Sequence, residues 1–358
     1  MKEFFKKITD FPVSVKTTRR KFKTIIQESQ KLHTLLQINE EILSERPLPE
    51  LLHNIVKSGV NFLQADAGTL RLADEDKNSL TLKATSGTYR PLSTKILPIN
   101  EESIAGKVFL EKKPIQCLNI SREPSYPWNG EETSKFTSLL TVPLKTKDKI
   151  LGVFSVYTRE KREFSELEVK TAQMFASLST LAIINRVRLE QIYQSAITEK
   201  LTGLYNQNYF YERLKEEVAR SSRNNYSLSL IFIDVDWLKS INDSYGHLVG
   251  DEALKKISQV IRSCVRKVDL PFRYGGDELA VLLPQTDGEA AYQIAERIRS
   301  KVSKISFREK FHLTVSIGVA TYPQDANNPQ DLLSKADSAL YKAKQKGRNC
   351  VERFNANQ

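Results

Sequence analysis

The chain has 358 residues, 54 Lys+Arg against 43 Asp+Glu, a formal net charge of +11 and 40% hydrophobic side chains, the proportions of a soluble globular protein with two or three domains at about 150 residues each. No window approaches the roughly 18 apolar residues that cross a bilayer, and charges fill the start, Met1-Lys-Glu-Phe-Phe-Lys-Lys7, where a secretory signal would be apolar; this excludes membrane-spanning and secreted classes and points to the cytoplasm. Cys117, Cys264 and Cys350 are too far apart for a zinc CxxC motif and His33, His53, His247 and His312 lack helical ligand spacing, so the thiols read as reduced and any metal is expected on carboxylates.

Residues 1–34 form a basic arm, with nine Lys/Arg in the first 31 residues against Glu3, Asp10 and Glu28. Such an arm either favours anionic lipid or nucleic acid or is a solvated helix leading into the first domain, and it says nothing of activity. From Ile25 the apolar residues Ile25, Leu32, Leu36 and Leu43 share a helical stripe that Pro47 and Pro49 end; a second helix is predicted from Pro49 to Phe62. Strands are predicted over Ala67–Leu72, Leu80–Ala84, Ile115–Ile120, Leu139–Leu144 and Ile150–Tyr157, the last two joined by the polar turn Lys145–Lys149.

Ser138–Ile183, together with Ser103-Ile-Ala-Gly-Lys-Val108, resembles the GAF family of small-molecule sensor modules. The resemblance covers about residues 35–190 and implies a ligand pocket whose occupant the sequence does not name. Cys117 has no neighbouring His of the kind a bilin-attaching site carries, and reads as a core thiol.

Ser165-Glu-Leu-Glu168 has capping-box spacing at the head of a run without Pro or Gly until Gly203. Phe175, Leu178, Ala182, Asn185, Leu189, Ile192 and Ala196 recur at 3-4 spacing, predicting a helical linker over 165–200 that either pairs with its copy or packs on its own domain.

Beyond the linker, the apolar run Leu228–Ile233 leads into Asp234-Val-Asp236, two carboxylates on one face of a strand exit, suited to Mg²⁺. Phe272–Leu283 reads as a hairpin whose Gly275-Gly276 turn presents Asp277 and Glu278. Glycines let backbone approach a nucleotide, and paired acids hold divalent ions on phosphate oxygens and accept a proton from an attacking hydroxyl. The chemistry expected is phosphoryl or nucleotidyl transfer.

Five blocks, in order, then resemble the GGDEF family, the catalytic domain of diguanylate cyclases. They are Leu201-Thr-Gly-Leu-Tyr-Asn206, Asp234 through Asp251, Arg273-Tyr-Gly-Gly-Asp-Glu-Leu279, Ser316-Ile-Gly-Val-Ala320 and Ala336 through Asn349. The resemblance spans residues 199–355 and implies joining two GTP into cyclic di-GMP, each domain holding one GTP, so that a homodimer is needed. It places Asp234, the Val235 carbonyl, Asp277 and, less centrally, Glu278 on Mg²⁺ or Mn²⁺, with Asp277 as acceptor of the 3′-hydroxyl proton. It places Asn242, His247 and Asp251 on the substrate, Asn242 and Asp251 at the guanine edge. Lys239, Lys344 and Arg348 would offset the triphosphate.

Arg266-Lys-Val-Asp269, ending just before the Gly275 motif, resembles the family's inhibitory product site, with Arg297 as a second arm; the alternative for the residues alone is a surface ion pair. Leu279 and Leu238 stand where the family usually has Phe, Glu199 where it has Asp, and Gln207-Asn208 where arginines are common. These changes keep apolar anchors and charge, so retained activity is expected.

The fold expected is an α/β (α+β) two-domain chain: a GAF-like antiparallel sheet with flanking helices over 35–164, the helical linker, and a ferredoxin-like, nucleotidyl-cyclase palm over 201–358. The function expected is a sensor-regulated diguanylate cyclase without nucleic-acid partners. The competing reading is a catalytically silent cyclic di-GMP receptor using Arg266 and Asp269; a third, a nucleic-acid or membrane-surface protein, rests on the arm alone.

Overall fold

The computed structural model describes residues 46–74, 76–87, 96–123, 136–307 and 311–355. The basic arm and the stripe from Ile25 lie outside the described residues. The chain divides into two compact units, one up to Glu190 and one from Gln191.

The first unit opens with α1 (Leu48–Phe62), where Pro49 stands in the first turn and Leu51, Leu52, Ile55, Val56 and Val60 are buried on one face. Strands β1 (Ala67–Asp74), β2 (Ser79–Gly87), β3 (Ile96–Pro98), β4 (Ile115–Cys117), β5 (Ser138–Lys145) and β6 (Ile150–Thr158) form one sheet in the order β3-β2-β1-β6-β5-β4. All its pairings are antiparallel. Side chains alternate across it. Leu70, Leu140, Val142, Phe154 and Val156 pack toward α1, and Ala67, Leu139, Val153 and Tyr157 pack with α2 (Ile104–Glu111).

The sequence predicts one strand over Ile115–Ile120, but the strand ends at Cys117 and a 3₁₀ turn follows at Ile120–Arg122. Asn119 causes the break, its side chain accepting from the Ser121 amide at 3.1 Å. Strand β3, three residues long, is too short for a period to reveal. Cys117 is half-buried at the sheet edge and packs against the core, and burial pushes its thiol pKa up.

Helix α3 (Glu166–Ile197) starts where the capping box places it. Ser165 Oγ accepts from the Glu168 amide at 3.3 Å, and Glu168 Oε2 accepts from the Ser165 amide at 2.8 Å. The predicted pairing seam divides in two. Phe175 and Ala182 are buried in their own unit's core, with Leu178 packed against it, whereas Asn185, Leu189 and Ile192 are exposed. A 3-4 period fits packing on one's own sheet as well as on a second helix, so spacing alone could not separate the two halves.

In the second unit, α4 (Gln207–Asn224) is N-capped by Asn206, whose side chain accepts from the Tyr209 amide at 3.0 Å. Five strands follow: β7 (Leu228–Val235), β8 (Leu270–Arg273), β9 (Glu278–Pro284), β12 (Val315–Tyr322) and β13 (Val351–Arg353), in the order β13-β12-β7-β9-β8. A short pair, β10 (Ser306–Phe307) and β11 (Phe311–His312), stands apart. The four strands β12-β7-β9-β8 are antiparallel and β13 adds in parallel, the ferredoxin-like order with one edge extended.

Helices α5 (Leu238–Tyr245), α6 (His247–Cys264) and α7 (Gly288–Ser303) cover one face over Ile231, Ile233, Leu279, Val281 and Ile317. Helices α4 and α8 (Pro329–Gln345) cover the other over Leu230, Phe232, Ala280 and Ala320. Helix α8 lies close because β12 offers Gly318 beneath it. A Cβ there would stand 2.1 Å from the Ala336 carbonyl oxygen.

Candidate active site

Register builds the centre. Asp234 pairs with Glu278 of β9 on one side and Ser316 of β12 on the other. Cross-strand partners share a face, and this is the face α8 covers. From the end of α8, Lys344 Nζ reaches Asp234 Oδ2 at 2.6 Å. The hairpin tip is bonded to the strand exit, the Val235 amide donating to the Asp277 carbonyl at 3.0 Å. Strand exit, hairpin tip and α8 thus converge on Asp234, Asp277, Glu278 and Lys344.

Burial raises the Asp234 pKa most, Asp277 and Asp236 add to the rise, and Lys344 opposes it. Burial also leads the rise at Glu278, followed by Asp277 and Asp234. Like charge at close range thus adds to burial at both Asp234 and Glu278.

Asp236 departs from the paired-carboxylate expectation. Strand β7 ends at Val235, and Asp236 turns to accept from Thr314 Oγ1 at 2.8 Å, Ser316 Oγ at 2.7 Å and the Asn349 amide at 3.1 Å. It ties β7, β12 and the turn after α8 together, and three donors already occupy its two oxygens.

The hairpin is braced from below and from the linker side. The Tyr274 ring meets Phe210, Phe232 and Tyr211 edge-on, and its hydroxyl bonds that of Tyr211. Arg273 donates to the Gly276 carbonyl at 2.9 Å and to the Gly275 carbonyl at 3.2 Å, and pairs with Glu199 at 3.1 Å. Glu199, two residues past the end of α3, also accepts from the Leu201 amide, the Thr202 amide and the Thr202 hydroxyl. Glutamate therefore closes the entrance turn. Leu279 is fully buried and Leu238 nearly so, apolar anchors as expected for both departures.

Asn242 and Asp251 come from neighbouring helices that meet at Gly246. A Cβ on Gly250 would lie 1.9 Å from Asn242 Oδ1, so glycine alone lets the Asn242 side chain lie beside the first turn of α6, next to Asp251. Asn242 Oδ1 is buried without a hydrogen-bond partner among the described residues, an acceptor that a ligand donor would satisfy. His247 and Lys239 are exposed at the starts of α6 and α5, and α5 has no side-chain cap on its N-terminus. Arg348 Cζ lies 4.1 Å from the centroid of the Trp237 ring, a contact the motif reading did not single out. The Glu199–Arg273 link was also missed, although both residues stand inside motifs.

In the loop between α6 and β8, Asp269 is buried and accepts from the Arg266 amide at 2.7 Å and from Arg266 Nη2 at 2.8 Å. Arg266 Nη2 also donates to Thr286 Oγ1 at 2.8 Å, and Arg297 donates to the Cys264 carbonyl at 2.6 Å. The structure brings Arg266 and Asp269 together as an ion pair, with the Arg266 side chain 54% exposed.

The family model for the diguanylate cyclase GGDEF domain matches residues 196–350, and that for the GAF domain matches residues 45–184. Diguanylate cyclase A of Treponema denticola is 36% identical over 253 residues, which cover 68% of this chain and 67% of that protein. The chain belongs to the GGDEF family of diguanylate cyclases. Response regulator PleD of Caulobacter vibrioides is 41% identical to this cyclase over 171 residues, covering 46% of the chain and 38% of that protein. A solved structure of the coiled coil and GGDEF domain of DgcB from Caulobacter crescentus, in complex with c-di-GMP, is 29% identical with a TM-score of 0.46, covering 53% of this chain and all of that one. No helix among the described residues of the cyclase is long and apolar enough to cross a membrane.

Proposed function

We propose that this cyclase condenses two GTP molecules into cyclic di-GMP, and that its GAF domain regulates the reaction. The observation that carries the reading is the convergence of Asp234, Glu278 and the Asp277 hairpin tip on Lys344. Hard carboxylate oxygens suit a divalent ion, and the charges of Asp277 and Asp234 that raise the Glu278 pKa leave a surplus of negative charge for it to offset; among the described residues the acids are not gathered into a ready-made cluster, so binding would draw them together. Asp234, the Val235 carbonyl, Asp277 and Glu278 would hold Mg²⁺ or Mn²⁺. Bound there, the ion would offset the triphosphate's charge and polarise the reacting phosphoryl group.

The chain's own residues do the rest. Asn242 and Asp251 select guanine, the carboxylate accepting from N1–H and N2–H and the amide offering a donor and an acceptor. His247 contacts the nucleotide beside them. Lys239, Lys344 and Arg348 draw the phosphates to the strand exit, where Lys344 exchanges its bond to Asp234 for one to phosphate. Asp277 takes the proton of the attacking 3′-hydroxyl; the new bond forms at the α-phosphorus of the other GTP, and pyrophosphate leaves with the electrons of the broken P–O bond.

Each domain holds one GTP, so two copies face each other to close the ring. The exposed Leu189 and Ile192 near the end of α3 support pairing through that half of the helix. The chain Glu199, Arg273, Gly275 and Gly276 offers a route from helix end to hairpin tip. Product would return to Arg266 and Asp269, with Arg297 as the second arm, once Arg266 turns from Asp269 and Thr286.

Incubating the full chain with GTP and Mg²⁺ and identifying the nucleotides by mass spectrometry tests the reading. Cyclic di-GMP from the native chain and none from Asp277→Ala is expected. Tight cyclic di-GMP binding without any GTP binding would instead establish the silent receptor. Ile192→Glu should leave GTP bound but stop turnover with loss of the dimer in light scattering; turnover by a demonstrated monomer would end the pairing model. Unchanged product inhibition in Arg266→Ala would remove the feedback site.

A further inference from the structure

The turn after α8 carries three successive residues with positive φ, Gly347 at 108°, Arg348 at 66° and Asn349 at 45°, and the exit of β7 carries Trp237 at 61°. Left-handed backbone is cheap for glycine and uncommon for bulky side chains, where it persists because surrounding contacts hold it. Here Asp236 holds both turns. Its carboxylate accepts from the Asn349 amide at 3.1 Å, and its own amide donates to the Thr314 carbonyl at 3.0 Å. The Trp237 carbonyl then starts α5 by accepting from the Ile241 amide at 3.0 Å.

The two turns lay the Arg348 guanidinium on the Trp237 indole, 4.1 Å from the ring centroid. Trp237 is 60% exposed, so its ring fills no core. It is also the N-cap residue of α5, a helix whose first amides have no side-chain acceptor. Helix N-termini of this kind receive phosphate. Arginine loses much rotamer freedom when ordered, and a ring that orders it beforehand lowers that cost at binding. Stacking engages the face of the guanidinium and leaves the plane of its N–H groups for oxygen acceptors.

We infer that Trp237 is a positioning residue for the substrate polyphosphate: its ring holds Arg348 beside the uncapped start of α5, so that cation and helix amides receive the phosphates together. The inference rests on the nucleotide-condensing reading and adds to it a residue inside the Asp234–Asp251 block to which the motif reading gives no role.

The test measures kinetics and equilibrium GTP binding on the full chain for Trp237→Ala, Trp237→Phe, Arg348→Ala and the double variant Trp237→Ala/Arg348→Ala. Trp237→Ala should raise KM and Kd for GTP about five- to twenty-fold, with kcat held within about two-fold; Arg348→Ala, which also removes a phosphate cation, is read for binding alone. Trp237→Phe should restore most of the affinity, because a smaller ring still stacks. In the Arg348→Ala background, Trp237→Ala should cost nothing further. Full additivity of the two substitutions would overturn the inference, as would a Phe variant as weak as the Ala variant or a loss confined to kcat. If the native chain binds GTP but forms no cyclic di-GMP, the condensing reading fails by itself and the binding series alone decides the stack.

Discussion

Both sheets hold self-closing hydroxyl pairs, Ser229 and Thr321 at 2.9 Å in the second among them, but among the described residues only the second also sets two carboxylates side by side. In the first unit, Thr141 Oγ1 and Ser155 Oγ bond each other at 2.9 Å, and the Thr69 and Tyr157 hydroxyls stand 3.4 Å apart, all four residues buried. A hydroxyl both donates and accepts, so such pairs close on themselves. In the second unit, Asp234 and Glu278 face each other across the same kind of ladder, and two carboxylates have nothing to donate. Burial raises the pKa of both, the charges of Asp277 and Asp236 add to the rise at Asp234 and those of Asp277 and Asp234 to the rise at Glu278, and the site calls for a cation from outside the sheet, which Lys344 supplies in part. A satisfied pair supports a fold, and a pair needing an outside partner marks chemistry.

The contrast breaks first at the acids. Asp277→Ala should lower the initial rate of cyclic di-GMP formation by about 10³-fold or more, measured by mass spectrometry, with the thermal transition in place. Asp234→Asn should likewise abolish turnover while changing stability by no more than about 1 kcal/mol, because the lost ion pair is offset by relief of repulsion at Glu278. A large drop in melting temperature for Asp234→Asn would make the acid structural and erase the difference between the sheets.

Packing supplies the next test. Phe154 is buried in the first unit's core, its ring 5.5 Å from that of Phe175. Truncation to Ala should cost about 3–5 kcal/mol and, in calorimetry, move a transition of the first unit while leaving that of the second. A single transition moving as a whole would show that the units do not melt separately.

Legibility followed the same division. In the second unit the strand, the turn and the acids stand inside contiguous motifs, and register did the rest: Asp234 meets Glu278 because the hairpin folds back on β7. Asp236 was legible as an acid but not as a bonding hub, since its donors Thr314, Ser316 and Asn349 lie 78 to 113 positions away. The Trp237–Arg348 stack was invisible for the same reason. In the first unit, alternation revealed the long strands but missed β3, and helical spacing could not tell a residue packed on its own sheet from one left exposed, as Phe175 and Ile192 demonstrate.

Between the two uses stands Glu199, an acid satisfied by donors. Burial alone would raise its pKa, but hydrogen bonds from the Leu201 amide, the Thr202 hydroxyl and amide, and Arg273 outweigh it and bring the carboxyl from the ordinary 4.5 to about 2. A depressed pKa in the folded state gives stability that is complete above pH 4.5 and is lost as pH falls toward 2; the shift corresponds to about 3 kcal/mol, which solvent screening of this partly exposed group lowers to about 2 kcal/mol. Glu199→Gln should flatten the acid limb of the stability curve over that window, followed by urea unfolding at several pH values. An unchanged limb would place the acid sensitivity in other carboxylates.

The smallest effect sharpens the comparison most, because it isolates a polar group used for structure alone. Ser165 and Glu168 cap each other at the start of α3, and Glu168 also holds Arg162 at 2.6 Å, which donates to the Leu63 and Gln64 carbonyls at 2.9 Å just past α1. Ser165→Ala removes one acceptor for a helix amide and should cost about 1 kcal/mol, a shift of about 2–4 °C in the first unit's transition. Cyclic di-GMP formation at saturating GTP should stay at the native rate, since the bonds involved close within the first unit as the hydroxyl pairs of its sheet do. A changed rate with an unmoved transition would give this cap a place in signalling, and the first unit's polar groups could then no longer be set apart as purely structural.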